Sequence, residues 1–159
     1  GPKRFDAEAT LRPGPFALVV RPEPGTSSEL VKAPLAAGRL LAQSIERGTL
    51  QRASEIGLVR RFELSEAAIQ AFELTVPFGR CIDVALGLDP GAAGAEIRLV
   101  SAASGKEIAL GRGPHATSTR VCALDAESVK ENLKTRVELR VASGAGVGLV
   151  ATRMSSPSR

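Results

Sequence analysis

In residues 135–142, TRVELRVA, charged and apolar side chains alternate strictly from Arg136 to Val141. The apolar residues, from Val137 to Val141, fall on one side of an extended chain, and the charged residues between them fall on the other. This period of two is typical of a β-strand that has one face in a core and the other in solvent. The stretch SGAG follows at 143–146, and VGLVAT at 147–152 is again strand-like, which predicts a hairpin turn between two strands.

The same kind of pattern recurs along the chain at a spacing of roughly 8–12 residues, which is typical of a β-sandwich. The stretches concerned are 5–10, 15–21, 57–64, 69–76, 81–88, 95–101, 106–111 and 117–124. The sequence therefore predicts a mainly β fold, an antiparallel, jelly-roll-like β-sandwich with one or two short helices. AASG at 102–105 predicts a hairpin in which Ile97 and Leu99 face Ile108 and Leu110.

Two segments depart from the strand pattern and predict helices. In residues 34–47, Pro34 suits a first helical position, Leu41 and Ile45 are four apart, and Gly48 suits a C-terminal cap. Residues 126–134 fit one or two further helical turns. Helices in an otherwise β chain commonly cover an open end or edge of the sandwich.

The Pro/Gly/Ser-rich stretch 21–29 suggests a division of the chain. We expect residues 1–21 to form an N-terminal hairpin or a tag-linked segment, either separate from the sandwich or paired with its edge. Residues 22–152 would be the β-sandwich domain, and residues 153–159, which have no pattern, a disordered tail.

The composition argues against several classes of partner. The chain has 159 residues and a net charge of +4, and many of its arginines lie next to acidic residues, so we expect a mixed-charge surface and no nucleic-acid partner. Trp and Tyr are absent and only five Phe are present, which disfavours the stacking surfaces that carbohydrate sites use. No apolar run approaches the ~20 residues that a membrane helix needs.

The chain contains two cysteines, Cys81 in GRCIDVALGL and Cys122 in TRVCAL. Zinc sites need about four ligands in closely spaced pairs, and redox dithiols need neighbouring cysteines, so neither chemistry fits. Two readings remain, a pair of buried free thiols or a disulfide between strands. We favour the disulfide, as a link between two stacked sheets, and it implies an oxidising compartment.

The run from GRCIDVALGL through AEIRLVSAASGKEIALG and TRVCAL to TRVELRVASGAGVGLVAT resembles bacterial pre-peptidase C-terminal-type β-sandwich modules. The resemblance covers residues 79–152. The chain departs from the pattern at Val147–Leu149, where those modules have an aromatic-containing final strand, and at 125–134, which looks like an insertion. The resemblance implies an accessory, non-catalytic domain that is usually exported, and it identifies no ligand.

Candidate chemistry is sparse. His115, in a Gly/Pro loop, could act as a base near Ser118, with Asp89 as a third member, but no nucleophile elbow accompanies any serine. Asp83, Asp89 and Glu96 are too dispersed for a recognised calcium loop, and the glycines at 144–148 lack the spacing of a dinucleotide site. The sequence therefore predicts no catalytic residue, no metal and no cofactor.

We predict a non-catalytic accessory or protein-interaction module of an exported bacterial protein, periplasmic or on the cell surface. The alternative is a small-ligand-binding or hydrolytic domain with a loop site around His115. If the partner is another protein, the expected polar contacts are the arginines at two alternating stretches, Arg60, Arg61, Arg136 and Arg140.

Overall fold

The computed structural model describes residues 34–46, 59–124 and 131–155. The predicted strands at 5–10 and 15–21, the proposed 1–21 segment, and residues 126–130 of the second predicted helix lie outside the described residues. The described part consists of one helix and seven strands: α1 (Pro34–Glu46), β1 (Val59–Ser65), β2 (Gln70–Val76), β3 (Cys81–Leu88), β4 (Ala92–Ser101), β5 (Glu107–Gly113), β6 (Ala116–Cys122) and β7 (Leu133–Ser155).

The strands form an antiparallel β-sandwich, as predicted. Sheet 1 has the order β6-β3-β7-β1, and sheet 2 has the order β5-β4-β7-β2. Each sheet turns its apolar residues toward the other, so Val84 and Leu86 of sheet 1 share one core with Ile97 and Leu139 of sheet 2. Burial of these side chains is the main stabilising contribution to the fold.

β7 belongs to both sheets. Its first half pairs with β2 and β4, and its second half pairs with β1 and β3. The predicted hairpin at 143–146 is therefore wrong, because the chain bends there without reversing. Gly144 makes the bend with a φ of 77°, which side chains disfavour. β7 continues to Ser155, three residues beyond the predicted domain boundary. At its other end, β7 begins at Leu133, so the second predicted helix does not extend to residue 134.

The predicted hairpin of β4 and β5 is present, but its register differs from the expectation. Leu99 pairs with Ala109 and Arg98 pairs with Leu110, with a register shift between Leu99 and Val100. Ile108 and Leu110 therefore lie on the outer face of sheet 2, where they are 39% and 38% exposed. Alanine and glycine occupy the core-facing positions of β5. The larger apolar residues of this strand therefore mark its outer face and not its core face.

α1 covers the outer face of sheet 1, and β3 is consequently buried on both faces. Ala36, Ala37 and Leu40 are fully buried against the sheet. A side chain at Gly87 would collide with the backbone of α1 at Ala36, so glycine allows the helix to lie directly on β3. The prediction of a helix that starts at Pro34 is confirmed, and it ends one residue before the predicted position.

The two sides of the sandwich differ. At the side formed by β5 and β6, a Cβ built on Gly111 would lie 2.8 Å from the carbonyl oxygen of Ser118, so the two backbones are in close contact. At the opposite side, β1 and β2 are the edge strands, and side chains fill the gap between the sheets. Phe62 of β1 and Phe72 of β2 stack there with ring centroids 5.6 Å apart.

Candidate functional site

Cys81 and Cys122 form a disulfide. They lie directly opposite each other on β3 and β6, with their Cα atoms 4.0 Å apart. The bond therefore joins neighbouring strands of sheet 1, and the expectation that it links the two stacked sheets is wrong. Cys81 is fully buried. In the disulfide, neither sulfur atom is a thiol or thiolate, so neither cysteine can act as a nucleophile or a metal ligand in this state.

A partly buried ion pair lies on the same face of sheet 1 as the disulfide. Asp83 is 5% exposed, and its Oδ1 accepts a hydrogen bond from Arg120 Nε at 2.6 Å. The hydrogen bond to Asp83 raises the pKa of Arg120 above its ordinary value, so the guanidinium stays protonated at any working pH. We assign this pair a structural role, since the carboxylate is satisfied by its neighbour.

Among the hydrogen bonds of the described residues, none joins the side chains of His115, Asp89 and Ser118, the three residues of the proposed loop site. The carboxylate of Asp89 accepts hydrogen bonds from the backbone N–H of Gly91 at 3.0 Å and of Val147 at 2.9 Å. Ser118 is buried, and its Oγ accepts a long hydrogen bond from Gln43 of α1 at 3.5 Å. His115 is exposed in the turn before β6. The structure thus uses Asp89 and Ser118 to hold local backbone and the helix.

The four arginines expected to contact a partner do not share one surface. Arg60 and Arg61 are on opposite faces of β1: Arg60 lies over the ring of Phe72, with its Cζ 4.7 Å from the centroid, whereas Arg61 pairs with Glu63 at 2.7 Å. The other two are on the outer face of sheet 2. A contact that used all four would have to wrap around the edge of the molecule.

Arg136 and Arg140 belong to a mixed-charge surface that we call the Arg/Glu face. Arginine and glutamate side chains of β4, β5 and β7 form a ladder of ion pairs across it, with N–O distances from 2.9 to 3.8 Å. The arginines are 36–71% exposed. The face comprises Arg98, Arg112, Arg136, Arg140, Glu96, Glu107 and Glu138, with Ile108 and Leu110 beside them on β5.

Alternation in β4 puts Glu96 and Arg98 on the face opposite Ile97 and Leu99, so the sequence could have assigned both to an outer face. In the structure, they pair in register with Arg140 and Glu138 of β7. Exposed Ile108 and Leu110 could not have been found in this way, since their position depends on the register of β5. Of the residues on this face, arginine is enriched in protein interfaces, whereas glutamate is depleted there.

A second surface feature is a groove at the open side of the sandwich, between the edge strands β1 and β2. It has a volume of about 70 Å³. Ile82 and Val150, which are 7% and 1% exposed, form part of its lining. We call it the side groove, and it is lined by Arg60, Phe72, Leu74, Ile82, Val150 and Thr152.

Within residues 34–46, 59–124 and 131–155, no group of three or more His, Cys, Asp or Glu side chains could hold a metal ion. The same part of the chain has no helix that is long and apolar enough to span a membrane.

No protein-family model matches the chain, and no curated protein matches it. Several solved structures are similar to it at low identity. The pre-peptidase C-terminal domain of a collagenase from Bacillus anthracis is 12% identical, with a TM-score of 0.49, and the match covers 62% of this chain and 90% of that domain. This domain is of the type that residues 79–152 resemble.

Two further solved structures are similar with lower TM-scores. TmCBM61, solved in complex with beta-1,4-galactotriose, is 14% identical with a TM-score of 0.37, and the match covers 60% of this chain and 68% of that one. A protein of Bacillus endospore appendages, described as disulfide-linked pili, is 13% identical with a TM-score of 0.34, and the match covers 69% of this chain and 98% of that one. The β-sandwich of this chain follows from its own strand pairing.

Proposed function

We propose that this chain is a non-catalytic accessory module of an exported bacterial protein, and that it contacts another protein through the Arg/Glu face. The observation that carries this proposal is the face itself. It is a regular, exposed sheet surface on which arginines alternate with glutamates and lie beside Ile108 and Leu110. A non-catalytic role is supported by Asp89 and Ser118, which serve the fold.

The pairing of charges on the face suggests how a partner is selected. The arginines of the ladder are 36–71% exposed, whereas Glu96 and Glu138 are 19% and 16% exposed, so the arginines are the charges that a partner can reach. Arginine suits bidentate contact with carboxylates of another protein, and complementary charges mainly set specificity and association rate. The two aliphatic side chains on β5 would supply apolar area in the same contact.

Charge reversal tests this proposal. The double variant Arg136→Glu, Arg140→Glu should lose the proteins that are chemically cross-linked to the native protein in its cell envelope. The control Arg61→Glu, Arg153→Glu makes the same change in charge on sheet 1 and should retain them. If both double variants keep the same cross-linked proteins, or both lose them, the Arg/Glu face is not the contact surface.

The proposed export is supported by the disulfide, because disulfides persist mainly in oxidising compartments. The bond closes a loop with a sequence separation of 41 residues, which corresponds to about 4 kcal/mol in the chain-entropy model.

We expect the double variant Cys81→Ala, Cys122→Ala to lower the free energy of unfolding by about 2–4 kcal/mol. Reductant should lower the stability of the wild type alone, and alkylation of the protein from its native envelope should detect no free thiol. Two alkylated thiols in that sample would contradict export.

A further inference from the structure

We propose that the side groove binds the C-terminal residue of a polypeptide, with its free carboxylate on Arg60 and its aliphatic side chain in the groove. This site lies on the edge of the sandwich, away from the Arg/Glu face. The inference is therefore independent of the proposed function, and either can fail while the other stands.

Arg60 supplies the positive charge of the side groove. Its position on β1 has the same parity as Phe62 and Leu64, which point toward the core, but Arg60 lies at the exposed end of this series. Its guanidinium is held over Phe72 by a cation–π contact. Among the described residues, no carboxylate is within ion-pair distance of Arg60, in contrast to the arginines of the Arg/Glu face. A positioned arginine without an acidic partner is suited to bidentate binding of a carboxylate.

The side groove is small and mostly apolar. Its volume of about 70 Å³ is roughly half of the ~150 Å³ of a cavity that accepts benzene. A groove of this size suits a small aliphatic side chain such as that of valine or leucine. The lining is apolar apart from Arg60 and Thr152, so an aliphatic group gains free energy by leaving water.

A ligand that uses both Arg60 and the groove must present a carboxylate and an aliphatic side chain close together. Neighbouring side chains of an extended chain point to opposite sides, so an internal acidic residue and an adjacent aliphatic residue cannot both enter one groove. A C-terminal residue carries its carboxylate and its side chain on the same Cα. In an extended internal segment, two side chains on the same side are two residues, or about 7 Å, apart, so a C-terminal residue presents both groups to Arg60 and to Ile82 and Val150 over a shorter distance.

The test is an NMR titration of the intact, isotopically labelled chain with two synthetic peptides. Both are N-acetylated, have five residues, and end in leucine after four glycine or serine residues. One has a free C-terminal carboxylate and the other a C-terminal amide. We expect the acid to shift the amide signals of Arg60, Phe72 and Val150 and to bind at least about tenfold more tightly than the amide, because a charge-assisted hydrogen bond is lost in the latter.

Two variants extend the test. Arg60→Gln should weaken binding of the acid by about tenfold and should remove the difference between acid and amide. Arg61→Gln is the matched control, on the same strand but on its other face, and should change the affinity by less than about twofold. The proposal is overturned if the wild type binds acid and amide equally, if neither peptide shifts these signals, or if Arg61→Gln weakens binding as much as Arg60→Gln. The comparison of the two peptides needs no variant, so it holds even if a variant fails to fold.

Discussion

Thr135 is fully buried in sheet 2, and within the described part of the chain its hydroxyl has no hydrogen-bond partner. A buried donor without a partner costs about 1–3 kcal/mol relative to the group in water. We expect Thr135→Val, which has a similar volume, to raise the free energy of unfolding by about 1 kcal/mol. Chemical denaturation measures this change. Thr75→Val, at an exposed position of β2, is the control and should stay within about 0.5 kcal/mol of the wild type. A loss of stability in Thr135→Val would show that the hydroxyl is satisfied.

Asp89 acts at the same scale, on the turn between β3 and β4. Asp89→Ala removes the acceptor for two backbone N–H groups, those of Gly91 and Val147, and should lower stability by about 2 kcal/mol. Asp89→Asn keeps one acceptor oxygen and should lose about half as much. Thermal and chemical unfolding of both variants measure these losses. Glu73→Ala, at an exposed position of β2, is the control. Equal losses for Ala and Asn would indicate that charge, and not the number of acceptors, determines the effect.

At the scale of elements, the contact between α1 and β3 depends on the absence of a side chain at Gly87. Gly87→Ala would place a Cβ against the backbone of the helix, which must then move outward. We expect a loss of about 1–3 kcal/mol, the usual cost of overpacking. Hydrogen exchange should show lower protection of α1 amides, while β3 amides stay close to the global value.

The control for this variant is Ala42→Ser on the exposed side of α1, which should change stability by no more than about 0.5 kcal/mol. If Gly87→Ala leaves the protection of α1 unchanged, the helix does not rest on β3 in the way that the structure describes.

Most elements follow from alternation in the sequence, and the exceptions have physical causes. The core-facing residues of β2 and of the first half of β7 could be assigned because only one face of each strand is buried. β3 is buried on both faces, so its alternation does not show that α1 covers its outer side. The placement of Ile108 and Leu110 was wrong because it depends on register, which the strand's own pattern leaves undetermined.

The candidate sites were less predictable than the strands, for a related reason. The pairing of Cys81 with Cys122 could be inferred from composition, but that they face each other within one sheet depends on strand order. Arg60 could be named as a contact residue, yet its role in the side groove depends on Phe72 and Val150, which come from two other strands. A site that is assembled from four strands, β1, β2, β3 and β7, leaves no local motif in the sequence.

At the scale of the whole molecule, β7 makes the two sheets one unit, since it supplies a central strand to each. Its bend is held from both sides. The N–H of Gly144 donates to the carboxylate of Glu66 at 3.2 Å, and the N–H of Ala145 donates to the carbonyl of Gly91 at 3.0 Å. Because neither sheet can lose β7 and keep its strand order, we expect both sheets to unfold in a single cooperative transition.

Gly144→Ala tests this coupling, because it perturbs the bend without changing any core side chain. The positive φ costs about 1–2 kcal/mol for alanine, and the new Cβ would also collide with the carbonyl of Gly91. Gly105→Ala is a matched control: its φ is 75°, but a Cβ there has no atom within 4 Å, so it should show the backbone cost alone. We expect Gly144→Ala to be the less stable of the two. By native-state hydrogen exchange, protection should fall equally in β3 of sheet 1 and β4 of sheet 2. A loss confined to β4 would show that the sheets unfold separately and that β7 does not couple them.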